Sequence, residues 1–137
     1  AKDMHRAFKR FLRPGGSAFV AAQWPEMDEA IAAIQQASGI AVLAHPGRYG
    51  LTRSKLSRLM DDFQHSGGDA AEVSYGSINP VQQSTLTTMV QERGLYASAG
   101  SDFHSADRQW TDIGKFPALG LAATKNAIWA HPRWHFD

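Results

Sequence analysis

The sequence predicts an α/β fold with a mostly parallel sheet. Three apolar stretches of strand length, at 40–44, 70–75 and 95–100, alternate with segments of helical periodicity. The stretch at 40–44, IAVLA, is continuously apolar, which is typical of a strand buried on both faces. Because strands that alternate with helices pair in parallel through crossover connections, this order indicates helices packed against a parallel sheet.

The first predicted helix covers residues 3–12, with Asp3 as its N-cap. Its apolar residues recur at helical spacing, and the sequence RPGG at 13–16 ends it. Residues 17–24 are predicted to form an extended or irregular link. The basic side chains of this helix (Lys2, Arg6, Lys9, Arg10 and Arg13) form either a solvated face or a contact for nucleic acid.

Three further helices have clear boundaries. Pro25 in the first turn and a following glycine bound a helix over 25–38. A second helix covers 53–66 and ends at two glycines. Asn79, as N-cap, begins the third, over 79–94. After residue 105 the periodicity weakens, and we expect loops and a short closing segment.

Composition narrows the class of protein. The chain has 137 residues, enough for one domain with a sizeable core, and 43% of them are hydrophobic. Its net charge of +1 gives no support for a strongly anionic partner. The lack of cysteine excludes disulfides and thiolate metal sites and fits a reducing compartment, so we expect a cytoplasmic protein. No apolar stretch is long enough to span a membrane, and no membrane partner is expected.

Metal-competent side chains follow two of the predicted strands. His45 comes directly after 40–44, while Asp102 and His104 come directly after 95–100. The carboxyl ends of parallel strands share one edge of a sheet, and residues i and i+2 of extended backbone point the same way. Imidazole and carboxylate ligands suit zinc, manganese or iron. The pattern therefore indicates a metal centre that activates water and neutralises a phosphate.

Other interpretations of the same residues stay open. A histidine before proline can be a simple turn residue, and the sequence SDFH can form a helix cap or an Asx-turn. Arg48 is either a phosphate clamp beside the metal site or a surface arginine. Glu72, in the middle of the strand 70–75, either points toward the same rim or pairs outward with a helix. Among the remaining histidines, surface positions are expected for His5 and His65, and a tail or surface role for His131 and His135.

The motifs LAHPGRY and GSDFH, with DAAEVSYG between them, resemble the PHP (polymerase and histidinol phosphatase) superfamily. The resemblance is closer to the bacterial branch of nucleoside 3′,5′-bisphosphate phosphatases that also act as 5′→3′ exoribonucleases. It covers most of residues 4–121. It implies a distorted seven-stranded (β/α) barrel, of which this chain is the C-terminal portion.

The resemblance also implies a domain organisation. Residues 1–20 match the end of a small helical insert, and 21–121 match the C-terminal half of the barrel. Residues 122–137 match least and are expected to form a C-terminal tail. The HxH, SDG-like and TDH motifs of the family's N-terminal half do not occur in this sequence.

By motif match, His45, Asp102 and His104 become metal ligands, Asp102 and His104 are also catalytic, and Arg48 binds substrate. The implied cofactors are two or three divalent ions: manganese, iron or zinc, with magnesium an option. The implied reaction is hydrolysis of a nucleoside 3′,5′-bisphosphate or of an RNA 5′ end by metal-activated water. The expected partners are a nucleotide or short RNA, and either the missing N-terminal half or a second copy of the chain.

Two alternatives remain. In one, the chain is a catalytically inactive fragment or an oligomerising domain, because half of the family's ligand motifs are missing. In the other, the chain is an RNA-binding module that uses its basic first helix.

Overall fold

A computed structural model of the chain describes residues 3–106 and 112–135. Lys2, at the start of the predicted basic helix, lies outside these ranges. A helical turn, α1, passes directly into a π-helical turn, and three longer helices and one short one follow. The bounds are α1 Met4–Ala7, the π-turn Phe8–Leu12, α2 Met27–Gln36, α3 Arg53–His65, α4 Pro80–Glu92 and α5 Leu121–Thr124.

Three strands form a parallel sheet in the order β1-β2-β3, which confirms the predicted parallel arrangement. Their bounds are β1 Val42–Leu43, β2 Ala70–Tyr75 and β3 Tyr96–Gly100. The register between β2 and β3 shifts between Glu72 and Ser74. Such a bulge changes the direction in which nearby side chains point and is frequent beside active sites.

The first strand is shorter than the predicted 40–44, and side chains supply hydrogen bonds at both of its ends, although the Ala41 carbonyl still accepts from the backbone amides of Asp69 and Ala70. The amide of Ala41 donates to Oδ2 of Asp69 at 2.8 Å. At the other end, the carbonyl of Ala44 accepts a 2.7 Å hydrogen bond from the Tyr49 hydroxyl. Only two residues of β1 therefore pair with β2 through the backbone ladder.

Helix capping follows the sequence closely. Asn79 accepts a 2.8 Å hydrogen bond from the amide of Gln82, as predicted for the N-cap, and Pro80 occupies the first turn of α4. Asp3 likewise accepts from the amide of Arg6 at 2.7 Å. These side chains satisfy amide groups that have no partner within the helix.

The hydrophobic core lies between the sheet and the helices α2, α3 and α4. The strands contribute mainly small residues, which allow the helices to approach the sheet closely. The buried core side chains include Ile31, Leu56, Met60, Phe63, Ala71, Val73, Tyr75, Leu86, Met89, Val90 and Ala97. On α3, Leu56, Met60 and Phe63 are buried and Leu59 is half-buried, so its apolar residues form one stripe that faces the core.

The segment from Leu119 to Ile128 packs against the sheet along the outer side of β3. The amide of Ala97 donates to the carbonyl of Asn126 at 2.7 Å, and Ala97 and Ala127 form a parallel bridge. Ala123 and Ile128 are buried beside them. The described part of the expected tail is therefore in register with β3, although these strands do not close a barrel.

Residues 3–24 contribute no buried side chain to this core. Several of their apolar side chains are exposed, including Met4 at 87% and Trp24 at 85%. Within the described residues, no helix has both the length and the apolar character needed to cross a membrane.

Candidate metal and phosphate site

His45 stands at the carboxyl end of β1, where the chain turns sharply. Its φ of 31° is in the left-handed region, and a 3-10 turn over Pro46–Arg48 follows it. The backbone amide of His45 donates a 2.7 Å hydrogen bond to Oε2 of Glu72. Residues other than glycine seldom adopt a positive φ, so contacts with the surrounding structure must stabilise this conformation of His45. The hydrogen bond from its amide to the Glu72 side chain is one such contact.

Glu72 belongs to this site, although the sequence left its direction open. Besides the bond to His45, its Oε1 lies so close to Gly100 that a β-carbon there would be 3.1 Å away. Burial raises the pKa of Glu72, the nearby Asp102 charge raises it further, and the His45 amide and the Arg48 guanidinium act in the opposite direction. Its carboxyl group therefore lies at the rim, within electrostatic range of both Asp102 and Arg48.

Arg48 and Asp102 form an ion pair across the rim, from the β1 end to the β3 end. A second guanidinium nitrogen of Arg48 donates to the carbonyl of Gly76 at 2.7 Å. The guanidinium lies over the Tyr75 ring, with 4.9 Å from Cζ to the ring centroid. The structure thus brings Arg48 to the predicted rim and fixes the plane of its guanidinium.

Asp102 and His104 differ from the expected arrangement. The φ of Asp102 is 54°, so the backbone here is left-handed and not extended. The prediction that Asp102 and His104 point the same way assumed extended backbone, and that assumption was wrong. His104 remains close to Asp102 even so: Nδ1 is 2.8 Å from the Asp102 carbonyl oxygen and 3.5 Å from Oδ1. The His104 side chain is 66% exposed.

The turn that carries His45 and Arg48 packs against two side chains. The side-chain amide of Gln82 donates to the carbonyl of Gly47 at 2.8 Å. A β-carbon at Gly47 would lie 2.3 Å from the Tyr75 hydroxyl, so only glycine fits there. Burial is the largest cause of the raised pKa values of Tyr49 and Tyr75, and the negative charge of Glu72 adds to it.

The donor set at this rim fits part of a metal centre. In the described residues, no three His, Asp or Glu side chains are arranged to hold an ion by themselves. The imidazole of His45 nevertheless lies at this rim, and the carboxylate charges of Glu72 and Asp102 repel each other, which a bound cation would relieve. Imidazole and paired carboxylates are suitable ligands for zinc, manganese or iron, so these residues can supply ligands to a larger site.

A second polar cluster lies at the opposite, amino end of the strands. The side chain of Asp69 accepts from the Ala41 amide and the Gln35 side chain and forms an ion pair with Arg133. His131 lies 3.5 Å from the same carboxylate and stacks edge-on against Tyr96. The side chain of His131 is only 9% exposed, because the chain after α5 folds back onto the sheet. Of the expected tail or surface role, the surface position is therefore wrong.

The remaining histidines follow the prediction. His5, His65 and His135 are exposed. His65 uses Nδ1 for a 2.7 Å contact with the carbonyl oxygen of Asp61, one helical turn earlier. None of the three contributes to the rim.

Curated proteins with similar sequences are phosphatases and exoribonucleases by name. The 3′,5′-nucleoside bisphosphate phosphatase of Chromobacterium violaceum is 41% identical over 113 residues, covering 82% of this chain and 40% of that protein. The 5′-3′ exoribonuclease Rnm of Salmonella typhimurium is 38% identical, covering 94% and 43%. The 5′-3′ exoribonuclease of Haemophilus influenzae is 41% identical, covering 90% and 44%. No protein-family model matches the chain.

Solved structures give the same picture of the fold. A Chromobacterium violaceum amidohydrolase with bound sulfate and no metal superposes with a TM-score of 0.74 at 38% identity, over 94% of this chain and 44% of that one. A Bifidobacterium adolescentis protein, named as a candidate metal-dependent phosphoesterase, superposes with a TM-score of 0.63 at 22% identity, over 92% and 44%. The chain spans about two fifths of the length of the curated relatives it matches, at their C-terminal end.

Proposed function

We propose that this chain is the C-terminal part of a PHP-type metal-dependent phosphoesterase, the family to which its homology with bisphosphate phosphatases and exoribonucleases points. The observation that carries the proposal is the convergence of His45, Glu72, Arg48 and Asp102 from three parallel strands on one rim. That rim is where α/β folds place their functional groups.

In this proposal His45, Asp102 and His104 are metal ligands, and Glu72 joins them as a fourth. Divalent ions bound there supply an activated water and neutralise phosphate charge. Manganese, iron and zinc suit these ligands, with magnesium an option, and two or three ions are expected in the whole protein. Residues that precede this chain in the longer protein supply the remaining ligands.

Arg48 has the role of orienting the phosphate. A guanidinium forms paired hydrogen bonds to phosphate oxygens, and the Tyr75 ring limits the planes that this guanidinium can adopt. In this structure Arg48 forms an ion pair with the Asp102 carboxylate, and a bound metal ion would be coordinated by that same carboxylate. The guanidinium would then be available to the substrate beside that ion.

The proposed substrate is a nucleoside 3′,5′-bisphosphate or the 5′ end of a short RNA. The support is the activities for which the relatives are named, and these relatives are 41% and 38% identical to this chain. The lack of cysteine agrees with the cytoplasm as the proposed location.

The N-terminal part of the same protein is the proposed structural partner. In the described residues β1 pairs on one side only, with β2. Met4, Phe8 and Trp24 expose apolar surface that a soluble domain normally covers. The relatives are more than twice as long as this chain, which leaves enough sequence to cover both surfaces.

The test is phosphate release from adenosine 3′,5′-bisphosphate by the longer protein that contains this sequence, with and without added manganese. The Asp102→Ala variant should lose almost all turnover, whereas the Asp62→Ala variant, altered at an exposed position of α3, should retain it. Normal turnover by Asp102→Ala would contradict the proposal. Salt-sensitive RNA binding without hydrolysis would favour the RNA-binding alternative instead.

A further inference from the structure

Two buried side-chain atoms stand out because nothing in the described residues satisfies them. Among residues 3–106 and 112–135, the buried side-chain polar atoms without a hydrogen-bond partner are Nδ1 of His45 and the hydroxyl of Tyr75. Buried polar groups are normally paired, so each such group calls for an explanation. Both of these groups lie at the same rim.

The two groups are neighbours on the turn after β1. The rings of His45 and Tyr75 meet edge-to-face, with 6.4 Å between centroids. The Tyr75 hydroxyl lies against Gly47, where a β-carbon would be only 2.3 Å away. Because Gly47 is two residues from His45, the hydroxyl packs on the same short turn as the imidazole.

Tyr49 provides a contrast on the other side of the same imidazole. Its ring also meets the His45 ring edge-to-face, with 6.1 Å between centroids. The Tyr49 hydroxyl, however, already donates to the carbonyl of Ala44 at 2.7 Å. Tyr75 is 1% exposed, and its hydroxyl therefore has little access to bulk water as an alternative partner.

We propose that Tyr75 is a positioning residue for His45: the two atoms are not hydrogen-bonded in this structure, but a small rotation of either neighbouring ring lets the Tyr75 hydroxyl oxygen accept a hydrogen bond from Nδ1–H. The inference rests on the proposed function, in which His45 is a metal ligand. With the proton fixed on Nδ1, the lone pair is on Nε2, which is then the ligating nitrogen. Metal-bound histidines generally use their second ring nitrogen in this way, and the partner orients the ring. Burial, which raises the pKa of Tyr75, keeps the phenol neutral and able to accept.

The experiment is nitrogen–proton correlation NMR of the histidine side chains, on the ¹⁵N-labelled longer protein that contains this sequence, at a pH above the ordinary imidazole pKa. His45 is assigned with a His45→Gln variant. The wild-type chain should show His45 with its proton on Nδ1. In Tyr75→Phe this preference should be lost, and zinc affinity, measured by titration, should fall about 10–100-fold. Tyr49→Phe is the matched control, and it should keep the His45 tautomer and the zinc affinity of the wild type.

The outcomes separate this inference from the function on which it rests. Wild-type His45 with its proton on Nε2 would overturn the inference, even if Tyr75→Phe fails to fold. An unchanged tautomer and unchanged zinc affinity in Tyr75→Phe would also overturn it. If zinc leaves the His45 signals of the wild type unmoved, the proposed ligand role fails, while the comparison of tautomers still decides whether Tyr75 holds the imidazole.

Discussion

The backbone amide of His45 donates a 2.7 Å hydrogen bond to Oε2 of Glu72, which joins the end of β1 to the middle of β2. Burial disfavours the charged form of Glu72, and this hydrogen bond stabilises that form at the rim. It also fixes the backbone of the residue that we propose as a metal ligand. The ionisation of Glu72 therefore affects both the stability of the fold and the position of His45 in the proposed metal site.

The Glu72→Gln variant should be more stable than the wild type at pH 7 in the presence of a chelator. The pKa of Glu72 is raised above its ordinary value of 4.5 in the folded chain, with burial as the main cause. The folded state thus holds this proton more tightly than the unfolded state, so stability falls as pH rises from about 4.5 through the folded pKa. Glutamine avoids that loss and can still accept from the His45 amide.

The measurement is the melting temperature of both proteins as a function of pH. The gain of Glu72→Gln should be present at neutral pH and disappear below pH about 4, where Glu72 is protonated in both states. A gain that is the same at all pH values would contradict the assigned cause.

Substituting Gly47 should distort the turn that carries His45 and Arg48. In Gly47→Ala the new β-carbon would lie 2.3 Å from the Tyr75 hydroxyl and 2.5 Å from the Gln82 side-chain nitrogen. Relieving this overlap should cost about 1–3 kcal/mol of unfolding free energy, measured by urea denaturation. Gly120→Ala is the matched control, because its φ is −63° and no atom lies within 4 Å of its β-carbon. Equal effects of the two substitutions would refute the packing argument.

Arg48→Ala should weaken substrate binding more than it slows turnover in the longer protein. The guanidinium is fixed by the Gly76 carbonyl and the Tyr75 ring, and we propose that it meets the substrate phosphate. We expect KM for adenosine 3′,5′-bisphosphate to rise about tenfold or more, with a smaller change in kcat. The comparison is Arg53→Ala, at the exposed start of α3, which should leave KM unchanged. An unaltered KM in Arg48→Ala would rule out the phosphate contact.

Much of this architecture could be predicted from local sequence signals. The order of helices and strands along the chain, the Asn79 cap and the position of His45 after β1 follow from periodicity and capping chemistry. The shortened β1 could not be predicted, because the Asp69 and Tyr49 side chains that supply hydrogen bonds at its ends are distant in sequence or lie beyond the turn. Local propensity carries no information about such competition.

The site was only partly predictable for a similar reason. A carboxylate within a strand has no periodic signature that reveals its direction, so the rim position of Glu72 required the register of β1 and β2. The left-handed backbone of Asp102 likewise changed the expected relation to His104. The ion pair between Arg48 and Asp102 spans 54 residues and depends on the order of the strands.

The cluster around Asp69 should determine stability without affecting the rim. Its carboxylate, 11% exposed, accepts from the Ala41 amide, forms an ion pair with Arg133 and lies 3.5 Å from Nε2 of His131. It therefore links the C-terminal segment to the start of β1. Removing one partner from a buried ion pair leaves the others uncompensated, and Asp69→Ala should lose about 3 kcal/mol of unfolding free energy. Asp69→Asn should lose less, because its side-chain oxygen still accepts from the Ala41 amide.

Urea denaturation and zinc titration of the same samples check this separation. Zinc affinity, measured well below the melting temperature, should be unchanged in Asp69→Ala, because Asp69 and His45 flank opposite ends of β1. Asp62→Ala, at an exposed position of α3, should change neither quantity. A loss of zinc affinity in folded Asp69→Ala would mean that the two ends of the sheet are coupled. A stability equal to that of Asp62→Ala would mean that the ion pairs of Asp69 contribute nothing to the fold.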